Sequence, residues 1–247
     1  MEAYTGFAAV YDLFMDNIPY DDWASNIAQL FKKYQMPMEI VCDLGCGTGQ
    51  MTRRLKAMGY DMIGIDISYD MLMEAMAQED SDGILYLCQD MKDFELYGTV
   101  GAVVSLCDSM NYLRDGDELL QVCKLANNYL DPKGLFIFDM KTTHYYESLG
   151  TSTIAENREE GSFIWENDYD RDTRDNYYDL TIYEANEEGT FDRYEEEHLQ
   201  HAFTIDEVVE AIEKSGLQFL EVLDVSTMSA PTDSTDRLYF IAREVCK

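Results

Sequence analysis

The stretch VCDLGCGTGQ, residues 41–50, decides how the first part of the chain folds. An apolar run ends at Asp43, and three glycines follow at alternate positions: Gly45, Gly47 and Gly49. This pattern is typical of a strand that turns into a helix beside a nucleotide. A dinucleotide loop of the form G-x-G-x-x-G would need a glycine where the chain has Gln50. The stretch therefore predicts a nucleotide site that differs from the usual dinucleotide loop.

The acidic residue Asp43, just before the glycines, indicates which nucleotide binds. A carboxylate at this strand end would repel the pyrophosphate of a dinucleotide, because like charges at short range raise the cost of binding. S-adenosylmethionine carries an ammonium group and a sulfonium and has no phosphate, so the same carboxylate favours it. The N-terminus of the following helix can receive the cofactor's own carboxylate. The sequence thus favours S-adenosylmethionine over NAD.

Two further predicted strand ends carry acidic residues. Asp66 lies 17 residues past Gly49, where a carboxylate can accept hydrogen bonds from both ribose hydroxyls of either kind of nucleotide. Asp90 can accept from the adenine amino group, with the backbone of Met91 at the ring edge and Ile67 against the ring face. The alternative is that both carboxylates cap helices and do not contact a nucleotide.

Composition limits the class of protein. The 247 residues suffice for one α/β domain with a small addition. Since 49 acidic and 18 basic residues give a formal charge of −31, nucleic-acid and membrane partners are disfavoured. No basic segment precedes an apolar core at the start, and no apolar run approaches the ~20 residues of a membrane span, so we expect a cytoplasmic protein. The six cysteines form no C-x-x-C pair, and no metal site is expected.

Apolar runs and helical patterns alternate along the first 140 residues. The predicted strands cover residues 39–45, 60–68, 84–90, 100–108 and 135–140. The predicted helices cover residues 21–35, 48–59, 69–78 and 117–134, the last of them stopped by Asp131-Pro132. Connections of this length require parallel pairing, which predicts a doubly wound α/β sheet. A helix over 204–216 with a capping box and strands over 217–225 and 237–245 complete the pattern.

The pattern changes between residues 150 and 203, where short aromatic and acidic segments alternate with turn-forming residues. Tyr178, Leu180 and Ile182 share one face of a predicted strand, and NEEG (186–189) predicts a hairpin turn. Residues 151–200 hold 16 acidic and 4 basic residues, a net charge of 4 − 16 = −12. We expect a small antiparallel insert at 150–203 within a main domain of residues 1–149 and 204–247. Its charge favours a solvated acidic face over a surface that binds cations.

Five segments occur in an order that resembles the class I S-adenosylmethionine-dependent methyltransferases over nearly the whole chain: VCDLGCGTG, GIDIS, CQDM, SLCDSMNYL and GLFIFDM. The resemblance implies a seven-stranded sheet of order 3-2-1-4-5-7-6 with the last strand antiparallel. It implies cofactor contacts at Asp43, Gly45, Gly47, Thr48, Gly49, Asp66, Ile67, Asp90, Met91, Leu106 and Cys107.

The opening FAAVYDLFMDNIPYDDW resembles the N-terminal segment of a bacterial small-molecule branch of this family. In that branch Tyr11, Tyr20 and Trp23 would close over the cofactor, although packing on a helix face explains Trp23 equally well. An antiparallel insert after the fifth strand is also typical of the branch, and we expect it to cover the acceptor site.

Methyl transfer from a sulfonium needs mainly alignment and exclusion of water, and it needs a base only when the acceptor loses a proton. Candidates on the acceptor side are Tyr11, Asp108, His144 and His198, with none preferred. The chain lacks the N/D-P-P-Y and Pro-Cys motifs of nucleobase methylation. We expect an enzyme acting on a small amine-bearing or neutral metabolite; the alternative is a non-catalytic S-adenosylmethionine-binding or protein-interaction module that uses the acidic insert. The acceptor's identity and the oligomeric state are not predicted.

Overall fold

The computed structural model describes residues 8–36, 40–186 and 188–247. The helices are α1 (Ala8–Phe14), α2 (Tyr20–Lys33), α3 (Gln50–Ala57), α4 (Tyr69–Ala77), α5 (Gly116–Tyr129), α6 (Thr143–Leu149) and α7 (Ile205–Lys214), with a short 3-10 helix at Ser109–Tyr112. The strands are β1 (Ile40–Leu44), β2 (Asp61–Asp66), β3 (Leu85–Cys88), β4 (Val100–Ser105), β5 (Leu130–Lys141), β6 (Ser152–Asn157), β7 (Gly161–Asp170), β8 (Asp175–Ala185), β9 (Phe191–His201), β10 (Leu217–Asp224) and β11 (Arg237–Glu244). Among these helices, none has the length and apolar character that a membrane crossing requires.

Seven strands form the central sheet in the order β3-β2-β1-β4-β5-β11-β10. The strands from β1 to β5 pair in parallel, and β11 runs antiparallel to both of its neighbours, β5 and β10. Counted along this sheet alone, the order is the predicted 3-2-1-4-5-7-6. The predicted fold class and the antiparallel last strand are confirmed.

The core lies on both faces of this sheet. Every residue of β4 is buried, as expected for a central strand covered on both sides by helices. Along β4, Val103 belongs to one apolar cluster, which includes residues of α5 and α7, while Ala102 and Val104 belong to another with residues of α2 and α3. The carboxyl ends of β1, β2 and β4 therefore stand on a rigid support.

The end of the predicted helix over 117–134 was wrong. Helix α5 stops at Tyr129 and β5 begins at Leu130, so Pro132 is the third residue of the strand. The pairing of β4 with β5 shifts register between Val100 and Ala102, and such an irregularity accommodates a residue without an N–H donor. Helix α7 has the predicted capping box, formed by Thr204 and Glu207.

A second sheet of four antiparallel strands, in the order β6-β7-β8-β9, occupies the predicted insert. The hairpin predicted at 186–189 joins β8 to β9, although residue 187 lies outside the described residues. The predicted buried face of β8 is present, since Tyr178, Leu180 and Ile182 are all buried. Phe163, Leu180 and Ile182 pack with Phe14 of α1, so the second sheet lies against the N-terminal helix.

One buried amide closes the neck of the segment that carries this second sheet. The Asn111 side chain donates to the backbone oxygens of Lys141, at 3.2 Å, and of His201, at 2.9 Å. Its oxygen accepts from the backbone N–H of Lys141 at 2.9 Å. The segment that carries the second sheet begins after Lys141 and ends at His201. The Asn111 side chain holds these two ends together.

Candidate active site

The glycine loop after β1 has the backbone that its sequence predicts. Gly45, Gly47 and Gly49 all have positive φ angles, of 73°, 53° and 77°. A side chain at position 45 would collide with Ser109, whose Oγ would lie 2.5 Å from the added carbon, whereas position 47 faces open space. The backbone N–H groups of Gly45 and Cys46 donate to the carbonyl of Ile65, which fixes the loop over β2.

A cavity of about 260 Å³ opens beside this loop, at the carboxyl ends of the central strands. All but two of the predicted cofactor contacts line it: Tyr11, Tyr20, Asp43, Gly45, Gly47, Thr48, Asp66, Ile67, Asp90, Met91, Leu106 and Cys107. Gly49 does not line the cavity and instead serves as the turn residue before α3. We refer to this space as the first cavity.

Asp43 is buried at the end of β1, where its Oδ2 accepts a hydrogen bond of 2.6 Å from the Thr52 hydroxyl. Burial, opposed by the Thr52 hydrogen bond and reinforced by the nearby charge of Asp66, raises the pKa of this carboxyl to about 7. A cation that entered the first cavity would favour the ionised form. The electrostatics of the glycine loop therefore suit a positively charged ligand.

Asp66 lines the first cavity and also accepts hydrogen bonds from two backbone N–H groups. Its Oδ2 accepts from the backbone N–H of Gly47 at 2.7 Å, and its Oδ1 accepts from that of Ser68 at 2.8 Å. Burial raises the pKa of Asp66, and the backbone donors oppose the rise. The carboxylate ties the glycine loop to the start of α4 while it lines the cavity. Beside it, the side chain of Ile67 is 64 % exposed, an apolar surface at the mouth.

Asp90, after β3, also has a structural partner. Its Oδ1 accepts from the backbone N–H of Lys92 at 2.8 Å, which holds the turn at that edge of the cavity. Met91 follows it in the wall. The capping role and the position in the cavity are again compatible.

Helix α1 is fastened to the glycine loop by a residue that the sequence analysis missed. The carboxylate of Asp12 accepts from the Thr48 hydroxyl at 2.6 Å and from the Gln50 side-chain amide at 2.7 Å. This contact holds Tyr11 in the wall of the first cavity. Gln50, the residue that distinguishes this loop from a dinucleotide loop, therefore helps to hold α1 in place. The partners lie 36 and 38 residues apart, so no local pattern could show the contact.

A second cavity of about 290 Å³ adjoins the first. Tyr11, Cys107 and Tyr112 line both. The second sheet forms much of the remaining wall, through Ile154, Glu156, Phe163, Trp165, Tyr178, Leu180, His198 and Gln200. Trp23 also lines this cavity and not the first, with the Arg237 guanidinium 5.0 Å from its ring centre. Trp23 was predicted to contact the cofactor, but the packing of α2 places it in the wall of the second cavity.

A cluster of buried charges lies beneath the second cavity. Asp108 contacts Lys141 at 3.0 Å and Arg237 at 2.7 Å, and it accepts from the Gln200 amide at 2.8 Å. Arg237 also pairs with the buried Asp139 of β5. Burial alone would raise the pKa of Asp108, but the two cations outweigh it and hold that pKa at about 2. Asp108 is consequently a poor base and an anchor for the cavity floor.

The two predicted histidines have different positions. His144 lies on α6 with its side chain 44 % exposed, 3.8 Å from Asp236, and lines neither cavity, which separates it from the candidate site. His198 of β9 is buried in the wall of the second cavity. Within the described ranges, no three His, Cys, Asp or Glu side chains are grouped so as to hold a metal ion.

Comparison with known proteins supports these observations. A family model described as a methyltransferase domain matches residues 41–134, the glycine loop and the strands that follow it. "Putative methyltransferase YqeM" of Bacillus subtilis (strain 168) is 34 % identical over 245 residues, which cover 98 % of this chain and 97 % of that protein. The chain belongs to the class I S-adenosylmethionine-dependent methyltransferases.

This methyltransferase is also similar to other members. The crystal structure of an S-adenosylmethionine-dependent methyltransferase from Clostridium acetobutylicum ATCC 824 superimposes with a TM-score of 0.87 at 24 % identity, over 99 % of this chain and 100 % of that chain. A dTDP-3-amino-3,4,6-trideoxy-alpha-D-glucopyranose N,N-dimethyltransferase of Streptomyces venezuelae is 32 % identical over 134 residues, 53 % of this chain and 56 % of that protein. The first likeness concerns the fold, and the second concerns about half of the chain.

The cofactor of the methyltransferase is S-adenosylmethionine, and the residues of the first cavity fit it. The buried carboxyl of Asp43 suits its positive charges. The open space at Gly47 admits a ligand close to the backbone. The exposed side chain of Ile67 offers an apolar face for a base.

Proposed function

We propose that this methyltransferase binds S-adenosylmethionine in the first cavity and methylates a small molecule held in the second. The observation that carries the proposal is the shared wall of Tyr11, Cys107 and Tyr112. Ligands that filled the two cavities would therefore both contact these three residues and would lie next to each other. When bound, the cofactor supplies the methyl group, and the protein's part is to align the two ligands and exclude water.

The proposed orientation of the cofactor follows from the chemistry of the first cavity. Asp43 faces its ammonium group, and Asp66 accepts from its ribose hydroxyls with lone pairs that the backbone donors leave available. The adenine lies on Ile67, with Asp90 and Met91 at its edge. Tyr11 and Tyr20 close the opposite side.

The proposed acceptor is a small metabolite that carries an amine or a hydroxyl group. The second cavity, at about 290 Å³, has room for a group of metabolite size. Exposed acidic residues alternate along the outside of the second sheet, at Asp179, Glu195 and Glu197, so nucleic acid would be repelled. The N,N-dimethyltransferase similarity makes an amine the first class to test. Residues 150–203 thus act as a cover that sets selectivity.

The alternative of a non-catalytic binding module predicts the same cofactor affinity but no turnover. Membership in the methyltransferase family favours the enzyme. We would incubate the protein with S-adenosylmethionine and the metabolite fraction of a bacterial extract below about 1 kDa, together with dTDP-linked amino sugars, and measure S-adenosylhomocysteine by mass spectrometry. We expect metabolite-dependent product. Product formed only with the macromolecular fraction, or none with either, would contradict the proposal.

The role of the second sheet can be tested with two aromatic residues on its opposite faces. Trp165 lines the second cavity, while the neighbouring Tyr177 is half exposed on the outside. Trp165→Ala should raise the KM for the acceptor several-fold and leave S-adenosylhomocysteine affinity unchanged, because Trp165 lines the second cavity and not the first. Tyr177→Ala is the matched control and should change neither quantity. Equal effects of the two substitutions would show that the sheet acts as a support only.

A further inference from the structure

Strand β9 turns three polar side chains inward, where a strand of a sheet normally places apolar ones. Glu196, His198 and Gln200 are 4 %, 8 % and 1 % exposed, and they alternate with exposed or partly exposed residues. Buried polar groups are costly unless each one is hydrogen-bonded. Gln200 meets this requirement with Asp108, Tyr146 and Tyr178. The other two form a separate chain of contacts that leads toward the shared wall.

That chain consists of Glu196, His198 and Tyr112. The Nε2 atom of His198 lies 3.0 Å from Oε2 of Glu196, and its Nδ1 atom lies 3.4 Å from the Tyr112 hydroxyl. A carboxylate only accepts hydrogen bonds, so Nε2 carries the hydrogen in the neutral ring. Nδ1 then offers its lone pair to the hydroxyl of Tyr112. The three groups are arranged to pass a proton in one direction, from Tyr112 toward Glu196.

The position of Tyr112 gives this arrangement its significance. Tyr112 lines both cavities, whereas His198 lines the second. Under the proposed function, on which this inference rests, the acceptor atom lies at the wall where Tyr112 stands. Two of the other sequence candidates are less suitable bases, since Lys141 and Arg237 keep the pKa of Asp108 at about 2 and His144 lies outside the site.

We propose that Tyr112, His198 and Glu196 form a proton relay for the acceptor. As the acceptor nitrogen or oxygen forms its bond to the methyl carbon, the carbon–sulfur bond breaks and its electron pair stays on sulfur. The acceptor's proton passes to the Tyr112 oxygen while the proton of Tyr112 moves to Nδ1 of His198. The imidazolium, stabilised by Glu196, later releases the proton to water. Tyr112 is the catalytic residue, and His198 and Glu196 act through it.

Several charged or titratable groups surround the His198 ring and bear on its protonation. Glu196 lies on the same strand, and Tyr178 of β8 lies directly opposite in the register of the sheet. Tyr112 contacts the ring from the short helix after β4. Asp108, Lys141, Glu156 and Arg237 line the same cavity from other elements. Since the two cations are neutralised within the charge cluster, the carboxylate of Glu196 is the nearest stabiliser of a protonated ring.

The relay can be tested without knowing the acceptor. The chain has three histidines, so NMR of the full-length protein labelled with ¹⁵N in the imidazole rings resolves each one. With S-adenosylhomocysteine added, we expect the neutral form of the His198 ring to carry its hydrogen at Nε2, and the Nδ1 resonance to shift in Tyr112→Phe. A ring protonated at Nδ1, or a resonance indifferent to Tyr112→Phe, would overturn the relay whether or not turnover is found.

Kinetics supply the second measurement, with the extract fraction that yields S-adenosylhomocysteine as the probe. His198→Gln should lower kcat by roughly 10²–10⁴-fold and remove the loss of rate at acid pH, while the KM for S-adenosylmethionine stays within about two-fold. Glu196→Gln should give a smaller loss and keep the pH dependence, which guards against a folding defect in His198→Gln. His201→Gln, on the same strand and outside both cavities, is the control. An unchanged pH profile in His198→Gln would refute the relay, whereas absence of turnover in the wild type would refute the proposed function.

Discussion

At the scale of single residues, the acidic strand ends were predictable and their partners were not. Asp43 and Asp66 stand where apolar runs end, a local signal that requires no knowledge of the fold. No such signal marks Asp12, Tyr112 or Glu196. The partners of Asp12 and Tyr112 are distant in the sequence, and the contact of Glu196 with His198 depends on which face of β9 is buried. For β9, the alternation of Glu196, His198 and Gln200 was visible, but only the pairing with Tyr178 shows which side is buried.

Replacing Asp66 by alanine should weaken the binding of S-adenosylmethionine. The loss of charge-assisted hydrogen bonds of ~1.5–3 kcal/mol should raise Kd ten-fold or more in calorimetric titration. Because Asp66 also accepts from the backbone N–H groups of Gly47 and Ser68, a modest fall in the melting temperature should accompany it. Asp61→Ala, at the exposed opposite end of β2, should change neither quantity. Unchanged affinity in Asp66→Ala would reduce Asp66 to a structural cap.

Asp43 should make cofactor binding depend on pH. Its pKa of about 7 in the folded protein exceeds the ordinary aspartate value of 3.8, so at this group the unfolded chain binds fewer protons between those pH values. The contribution of this group to the free energy of unfolding therefore falls as pH rises from about 4 to about 7. A cationic ligand favours the ionised carboxylate, so binding below pH 7 should release a proton.

Calorimetry in buffers of different ionisation enthalpy measures that proton release. In Asp43→Asn the proton release due to this residue should disappear and affinity should fall. The decline in stability of the ligand-free protein between pH 4 and pH 7 should become shallower. Thr52→Val, which removes the hydroxyl donor to Asp43, should raise the pKa further and move the transition to higher pH. Identical proton release in wild type and Asp43→Asn would refute this assignment.

At the scale of elements, long apolar or periodic segments were predicted well and short ones were not. The five parallel strands and the helix with the capping box follow from continuous apolar runs and from Thr204 with Glu207. The short helices α1 and α6, of seven residues each, offer too few turns for a helical period to be visible. Asp131-Pro132 was interpreted as a helix stop, whereas both residues lie within a strand that begins at Leu130 and whose first pairs are irregular.

Helix α1 should depend on Asp12 for its position. Asp12→Ala removes both bonds to the glycine loop, so the backbone amides of α1 should exchange hydrogen faster, and S-adenosylhomocysteine affinity should fall several-fold as Tyr11 loses its position. Hydrogen exchange with mass spectrometry and calorimetry measure the two effects. Asp22→Ala, an exposed residue of α2, is the control. If exchange in α1 were the same in Asp12→Ala as in wild type, other contacts would hold the helix.

At the scale of the whole molecule, the charge of −31 should oppose compactness. Raising salt from about 0.05 to about 0.5 M screens repulsion between exposed carboxylates and should raise the melting temperature by several degrees. Scanning calorimetry in sodium chloride and in choline chloride checks that the rise follows ionic strength and not the identity of the cation. A melting temperature that fell with salt would mean that the ion pairs of the surface outweigh the net repulsion.

The neck closed by Asn111 bears on how such enzymes diverge. Because the ends of the segment between Lys141 and His201 are already held together, lengthening it costs only the slowly growing entropy of a longer closed loop, about 0.6 kcal/mol for each doubling. Insertions or deletions in that segment therefore leave the seven-stranded sheet nearly undisturbed, as long as the packing of the second sheet on Phe14 is kept. Under the proposed function, a changed segment could then accept a different methyl acceptor while the donor site stays the same.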